Sequence, residues 1–299
     1  MKAKKEGSKY MDKHTKGFVI LAESGSDLPK DIAENYGIEI VPMHVMFNHK
    51  NYDDGEFPIK EIIDYYEKTK TIPTTSATNV GEYMNAYQKI HQEHPDKLIL
   101  HLCYSAITTA TYQNANIASE GLDYVCHIDT KFVSGGQAFL LYKVAKYLEN
   151  YPDVELKMLK SYIYELIEKT HMIFLPSQLD FLKAGGRVSN AAYLGANILG
   201  LKPIIEIIDG KLVGTKKYRG RDMKKICKRM LNEFLTEYDC HLEDFFMLHS
   251  YGLDKTIMKD TEIMAKEHGF QNIRWIETGG VITSHSGPGC FGFIFEENK

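Results

Sequence analysis

The N-terminal half of the chain alternates short apolar runs with stretches in which apolar residues recur at helical spacing. This alternation is the pattern of strands and crossover helices around a parallel sheet. It predicts strands over residues 18–23, 38–47, 97–104 and 124–128. It predicts helices over residues 29–36, 58–68, 79–94, 109–119 and 136–149. Pro152 follows the last of these helices, and the predicted N-terminal α/β domain therefore covers residues 17–152.

The second half of the chain has a different pattern of apolar and polar positions, which predicts longer strands and a hairpin. Asp209-Gly210 lies between two apolar runs, over residues 203–208 and 211–217, and is a strong signal for a two-residue hairpin. Further strands are predicted over residues 172–175, 245–250, 272–277 and 292–296. Helices are predicted over residues 154–170, 178–184, 222–238 and 255–268. This mixture predicts an α+β domain with a mixed sheet over residues 153–299, packed against the first domain.

Composition narrows the class of protein. The chain has 299 residues, 43% hydrophobic and 25% charged, and two domains are the natural expectation at this length. The formal net charge of −4 argues against nucleic acid as a partner, because a phosphate-binding surface is normally basic. No apolar run approaches the roughly 20 residues that cross a bilayer. Residues 1–16 are polar and basic without an apolar h-region, and are predicted to be a loose tail.

The five cysteines are scattered, odd in number and never in Cys-x-x-Cys spacing. They indicate reduced core thiols in a cytoplasmic protein, without a disulfide framework or a zinc site. No other metal-binding spacing is present, and no cofactor is expected.

Hydroxyl and carboxyl side chains follow the predicted strands of the parallel sheet. Because ligands bind beyond the carboxyl ends of such strands, these residues are expected at one rim. Each of them also has a simpler explanation as a helix N-cap. The rim residues are Ser24, Ser26, Asp27, Ser105, Thr108, Thr109, Asp129, Thr130 and Ser134. The segment Pro73-Thr74-Thr75-Ser76 is expected to lead into a further helix start.

The block Leu182-Lys183-Ala184-Gly185-Gly186-Arg187-Val188-Ser189 is the most informative stretch of the chain. Paired glycines let the backbone turn and approach another surface closely, and Arg187 offers a planar fork for a carboxylate or phosphate. In isolation it would be interpreted as a helix C-cap followed by a solvated arginine. Four other segments of the chain complete a pattern with this block: residues 23–29, 73–76, 129–136 and 285–289. Together they resemble the DegV family, over residues 18–295.

The best-understood members of that family are the fatty-acid-binding subunits of bacterial fatty acid kinase. The resemblance implies that hydroxyls hold the fatty-acid headgroup, at Thr75, Ser76 and Thr109 with Ser105 nearby. Thr109-Ala110-Thr111-Tyr112 stands where the family usually has Ser-Gly-Thr-Tyr, so a hydroxyl is retained and the glycine is not. His285, in a Gly-rich loop with Gly287 after a strand-like segment at 281–283, is implied to join the hydrogen-bond network of the carboxylate.

The resemblance also implies a partner. A separate ATP-dependent kinase would phosphorylate the bound acid to acyl phosphate, and this chain would present the substrate without being catalytic alone. Arg187 and Arg219 would lie on the rim where the kinase docks. The chain has no Gly-x-x-x-x-Gly-Lys-Ser/Thr phosphate loop, which fits a subunit that leaves ATP to its partner.

Two alternatives remain open from the residues. A serine hydrolase would use Ser76 or Ser105 with His285 and an aspartate such as Asp27 or Asp129. The chain lacks the Gly-x-Ser-x-Gly elbow of many such enzymes. A fatty-acid carrier or sensor without a kinase partner is the third possibility.

Overall fold

The computed structural model describes residues 17–190 and 200–299. Its strands are β1 (Phe18–Glu23), β2 (Glu39–Val41), β3 (His44–Phe47), β4 (Lys50–Asp53), β5 (Thr74–Ser76), β6 (Leu98–Cys103), β7 (Val125–Asp129), β8 (Thr170–Leu175), β9 (Leu201–Ile208), β10 (Lys211–Arg219), β11 (Cys240–His249), β12 (Asn272–Glu277) and β13 (Phe291–Glu297). Its helices are α1 (Lys30–Tyr36), α2 (Lys60–Thr69), α3 (Val80–Glu93), α4 (Thr111–Ala118), α5 (Ser134–Asn150), α6 (Leu156–Lys169), α7 (Leu179–Gly185), α8 (Met223–Glu237), α9 (Lys255–His268) and α10 (Gly280–Ser286).

The first sheet is parallel, with strand order β2-β1-β6-β7. Its central strand β1 is buried along its whole length and pairs Ile20 with Leu100 of β6. Strands covered on both faces are continuously apolar, which is why the run over 18–22 predicted this strand correctly. The carboxyl ends of β1, β6 and β7 lie at one edge, as the parallel arrangement requires.

The second sheet is mixed, with strand order β10-β9-β8-β13-β11-β12. Among its described strands, β11 and β12 pair in parallel and the other neighbouring strands pair antiparallel. Asp209 and Gly210 join β9 to β10 with φ of 46° and 79°, the left-handed backbone that a two-residue hairpin turn needs. The predicted α/β class, with a parallel N-terminal sheet and a mixed C-terminal sheet, is confirmed. The domain boundary near residue 152 stays a prediction.

A third, small antiparallel sheet, with order β4-β3-β5, differs from the prediction. The single strand expected over residues 38–47 is two strands in different sheets, β2 and β3, because Pro42 between them has no N–H to donate to a ladder. Residues 73–76 lead towards the start of α3, as expected, but residues 74–76 themselves form β5, which pairs Thr75 with Val45. This pairing places Thr75 and Ser76 on a strand.

Helix α5 packs between the two large sheets. Twelve of its 17 residues are buried, and Phe139 meets Phe246 of β11 edge to face at 5.2 Å. A helix with so much buried surface requires protein on more than one side. Lys143 near its middle lies 3.3 Å from the buried carboxylate of Asp244, which also accepts from Lys146. Apolar packing and this ion-pair cluster together join the two parts of the chain.

Helix α10 is a second correction. Val281, Ile282 and Thr283 are β-branched and predicted a strand, yet they lie inside this helix. Strand preference is weak and depends on packing. Here the N–H groups of Gly279, Gly280 and Val281 are bound by carboxylates from elsewhere in the chain. These tertiary contacts stabilise the helix against the local preference.

The predicted tail, residues 1–16, lies outside the described residues. In the part of the chain that the structure describes, no helix has the length and apolar character to cross a membrane. All five cysteines are buried and unpaired.

Candidate functional site

A cavity lies between the carboxyl ends of the parallel sheet and the mixed sheet. The space between its walls is about 770 Å³, a figure that counts the part open to solvent. Its apolar lining consists of Met43, Ala77, Val133, Met172, Phe174, Leu182, Leu212, Leu248, Val281, Ile282 and Cys290. Its polar lining consists of Thr75, Ser76, Tyr104, Thr108, Thr109, Ser134, Arg187, Thr278, His285 and Ser286.

The polar lining centres on the contact between His285 and Thr75. His285 Nε2 lies 2.8 Å from Thr75 Oγ1, joining helix α10 to strand β5 across 210 residues of sequence. His285 Nδ1 is buried and has no hydrogen-bond partner among the described residues. A Cβ added to Gly185 would lie 2.5 Å from this nitrogen, so only glycine lets α7 pack against the imidazole.

The imidazole of His285 is neutral at physiological pH. Burial, with a further contribution from the charge of Arg187, lowers its pKa from 6.5 to about 4. A neutral imidazole carries one proton, and a buried N–H without an acceptor is rarer than a bare lone pair. The proton therefore belongs on Nε2, which donates to Thr75 Oγ1. The Thr75 hydroxyl proton is then free to be donated into the cavity.

Ser76 and Thr109 also line the cavity. Ser76 lies at the end of β5 and is exposed, and Thr109 lies two residues before helix α4. Ser76 was expected at a helix start, and it occupies a strand instead. With Thr75 and Thr108, these residues provide hydroxyls from strand β5 and from the loop before α4.

Ser105 and Gly287 are placed differently from their expected role. Ser105 is fully buried outside the cavity lining, and its hydroxyl donates to the carbonyl of Gly210 at 2.8 Å, which ties its loop to the hairpin turn. Gly287 has φ of 69°, and its carbonyl accepts from Ser250 Oγ at 2.6 Å. The structure gives both residues structural contacts: Ser105 holds a loop, and Gly287 ends helix α10.

The two predicted partner-docking arginines occupy separate places. Arg187 is exposed, contacts the carbonyl of Gly185 and lines the cavity near His285. Arg219 is exposed at the end of β10, outside the cavity lining. Arg187 therefore belongs to the cavity mouth, whereas Arg219 belongs to the outer surface.

Tyr104, Thr278 and Ser286 line the cavity without having been singled out from the sequence. Tyr104 is the residue that directly follows strand β6, so the strand-end argument could have found it. Thr278 precedes helix α10 and Ser286 is its last residue, and the β-branched residues of this helix predicted a strand. Burial raises the pKa of the Tyr104 hydroxyl, so this group is a neutral donor.

The catalytic triad of the hydrolase alternative is not assembled among the described residues. His285 Nε2 contacts a threonine, and no carboxylate orients its Nδ1. Asp129 accepts instead from the backbone N–H groups of Ala106 and Lys131. Asp27 is bound by Ser134 and Gly279. A serine nucleophile needs a base within hydrogen-bond reach and a group that orients the base.

The family model described as "Uncharacterised protein, DegV family COG1307" matches residues 17–298. A fatty acid-binding protein of Thermotoga maritima is 28% identical over 283 residues, covering 93% of this chain and 96% of the relative. The structure of a fatty-acid-binding DegV family protein from Thermus thermophilus superposes with a TM-score of 0.83 at 25% identity, covering 94% of this chain and 99% of that one.

A second structure, of the fatty acid binding protein DegV from Bacillus subtilis, superposes with a TM-score of 0.79 at 20% identity, covering 94% and 99% of the two chains. At that identity the likeness shows the fold. The family match spans nearly the whole described chain, and the superposed structures share its fold. The chain belongs to the DegV family.

Proposed function

We propose that this protein binds one long-chain fatty acid in the cavity and presents its carboxylate to a separate ATP-dependent kinase, which converts it to acyl phosphate. The observation that carries the proposal is the lining itself: eleven apolar side chains share one cavity with neutral hydroxyls and a neutral histidine. Fatty acid binding by other DegV proteins, including the Thermotoga and Thermus relatives, supports it.

The hydroxyls are suited to a carboxylate headgroup. Thr75 accepts from His285 Nε2 and has its own proton free, and Ser76 and Thr109 add further donors. Hydrogen bonds to a charged group are about twice as strong as neutral ones. A carboxylate held by neutral donors keeps its charge and remains a nucleophile.

The apolar lining is suited to an acyl chain. Met172 and Phe174 of β8, Leu182 of α7 and Leu248 of β11 come from different elements and face one space. Each methylene that leaves water contributes about 0.8 kcal/mol. An acyl chain would therefore supply most of the binding free energy, and the hydroxyls would fix its direction.

Arg187 supports the kinase part of the proposal. Its guanidinium lines the cavity mouth and is also exposed, where it can face both the headgroup and an arriving partner. In the proposed step a carboxylate oxygen forms a bond to the γ-phosphorus of ATP, the bond between that phosphorus and the β–γ bridging oxygen breaks, and ADP leaves. A guanidinium fork matches the oxygens of the new phosphate.

Native mass spectrometry of the protein purified from bacteria tests the binding part. We expect a bound mass of one fatty acid per chain, released on denaturation. Protein that stays empty after incubation with palmitate and oleate would contradict the proposal.

The kinase part is tested separately, with the loaded protein, ATP and the fatty acid kinase of the organism that encodes this chain. Hydroxylamine converts acyl phosphate to a hydroxamate, and we expect that product only when all three components are present. A loaded protein whose lipid is never phosphorylated would reject the kinase part and leave a carrier or sensor.

A further inference from the structure

Two carboxylates that the proposed function does not use hold the helix that carries His285. Asp27 Oδ1 accepts from Gly279 N at 2.7 Å. Asp54 Oδ1 accepts from Gly280 N at 2.7 Å and from Val281 N at 3.3 Å. Both aspartates come from the N-terminal part of the chain, after β1 and β4, and α10 comes from the C-terminal part.

The same two carboxylates are also bound by serines that connect to the cavity wall. Ser134, which lines the cavity, donates to Asp27 Oδ2. Ser24 donates to Asp54 Oδ2 at 3.0 Å and accepts from the N–H of Met43, another lining residue, at 3.0 Å. Each aspartate therefore links α10 to a different part of the cavity wall.

The local backbone indicates how closely this arrangement is constrained. Asp27 and Ser134, which bond to each other, have φ of 54° and 47°, a conformation that is uncommon outside glycine and retained only where surrounding contacts determine it. A Cβ on Gly280 would lie 2.7 Å from Phe57 Cζ and 2.8 Å from Asp54 Oδ1. The carboxylates can approach the start of α10 only because glycine is there.

We infer that Asp27 and Asp54 are positioning residues that fix helix α10, and thereby hold His285 Nε2 against Thr75 at the headgroup site. The helix starts at Gly280 and brings Val281, Ile282 and His285 into the cavity lining. With its first N–H groups bound by two carboxylates, the helix has a fixed start. The role of these aspartates in ligand binding rests on the proposed function; their control of His285 does not.

Asparagine and alanine substitutions at Asp27 and Asp54 separate the effect of their hydrogen bonds from the effect of their charge. Burial, as the largest influence, raises the pKa of both Asp27 and Asp54, against the hydrogen bonds they accept. Asparagine keeps the oxygen that accepts from the helix and offers an N–H to the serine, so Asp27→Asn and Asp54→Asn should preserve the arrangement. Asp27→Ala and Asp54→Ala remove it.

The experiment measures the imidazole ¹⁵N chemical shifts of His285 and the affinity for palmitate. In both alanine variants we expect displaced His285 signals and an affinity at least about tenfold lower, the equivalent of one lost hydrogen bond. The asparagine variants should keep the wild-type signals and stay within about threefold in affinity. Folded alanine variants with unchanged signals and affinity would overturn the inference.

Two further variants keep the test decisive. Asp244→Asn removes another buried carboxylate, at the contact of α5 with β11, and should lower the melting temperature without moving the His285 signals. If the alanine variants do not fold, Ser24→Ala is the substitute, because it removes only the hydroxyl that donates to Asp54. This variant must displace the His285 signals for the inference to stand. The imidazole readout needs no ligand, so it decides the positioning role even if the wild-type protein binds no fatty acid.

Discussion

Glu23 and His285 are both polar groups in protected surroundings, and they differ in how many hydrogen bonds they make. The carboxylate of Glu23 is fully buried and accepts four: from Tyr83 Oη at 2.7 Å and His101 Nε2 at 3.1 Å on one oxygen, and from Tyr104 N at 2.9 Å and Gln137 Nε2 at 3.0 Å on the other. Among the described residues, the His285 imidazole makes one, to Thr75, beside hydroxyls that face a cavity.

The difference separates a structural group from a binding group. Burial alone would raise the pKa of Glu23, but the charge of His101 and the hydrogen bonds from His101, Tyr83 and Gln137 outweigh it and lower the pKa to about 2. Glu23, His101 and Cys103 have potential metal ligand atoms within 4.8 Å of one another, yet the Glu23 oxygens are already occupied. Around His285 the lowered pKa comes from burial without such compensation, and free donors remain for a ligand.

The largest effect is expected from Glu23→Ala. The substitution leaves the buried His101 and Tyr83 without their acceptor, and breaking a buried pair costs about 3–5 kcal/mol of unfolding free energy. Urea denaturation at pH 7 measures it, with the exposed Glu34→Ala as the control that should stay within about 0.5 kcal/mol. A loss below about 1 kcal/mol would contradict the structural role of Glu23.

Ser76→Ala and Thr109→Ala test the binding cluster. Losing a hydrogen bond to a charged group costs about 1.5–3 kcal/mol, so each variant should bind fatty acid roughly ten- to a hundredfold more weakly at little cost in stability. Isothermal titration measures the affinity, and Ser161→Ala on the exposed face of α6 is the matched control. Unchanged affinity in both variants would remove these hydroxyls from the site.

His285 should make stability depend on pH. Its folded pKa, about 4, lies below its unfolded value of 6.5, so between these values the unfolded chain binds more protons. Stability therefore rises with pH through this window by about 1–3 kcal/mol and is lost again as the pH falls from 6.5 to 4. In His285→Gln this part of the pH dependence should vanish. An unchanged profile would show that His285 titrates normally.

The smallest effect on binding is expected from Arg187→Ala and Arg219→Ala. Rim charges mainly affect association and orientation, so both variants should retain the lipid, with affinity changed less than about threefold. Acyl phosphate formation with the kinase should slow about tenfold. Arg229→Ala on α8 is the control. If a folded Arg187 variant loses its lipid, Arg187 belongs to the headgroup site.

The order of helices and strands could be predicted because strand β1 and helix α5 have the apolar patterns that their burial requires. Strand β4 could not be predicted, because Lys50-Asn51-Tyr52-Asp53 is polar and is stabilised by pairing with β3. The same kind of tertiary contact made α10 a helix. Local sequence carries propensity, and these two elements depend on contacts with distant residues.

The candidate site also depends on contacts between residues that are distant in the sequence. Thr75 and His285 could be singled out from their motifs, but their 2.8 Å contact depends on how β5 and α10 meet. Ser105 has the same chemistry as Ser76, and only the fold shows that its hydroxyl is taken by Gly210. Asp54 follows β4, a strand that the sequence pattern does not predict, so its contact with α10 could not be predicted either.

A crystal structure of the protein with palmitate tests the central claim most directly. The account predicts a carboxylate oxygen within hydrogen-bond distance of Thr75 Oγ1, about 2.5–3.0 Å, with His285 Nε2 still on the same hydroxyl and the acyl chain between Met172, Leu182 and Leu248. A palmitate whose carboxylate lies away from Thr75, or a cavity that stays empty at saturating palmitate, would contradict it.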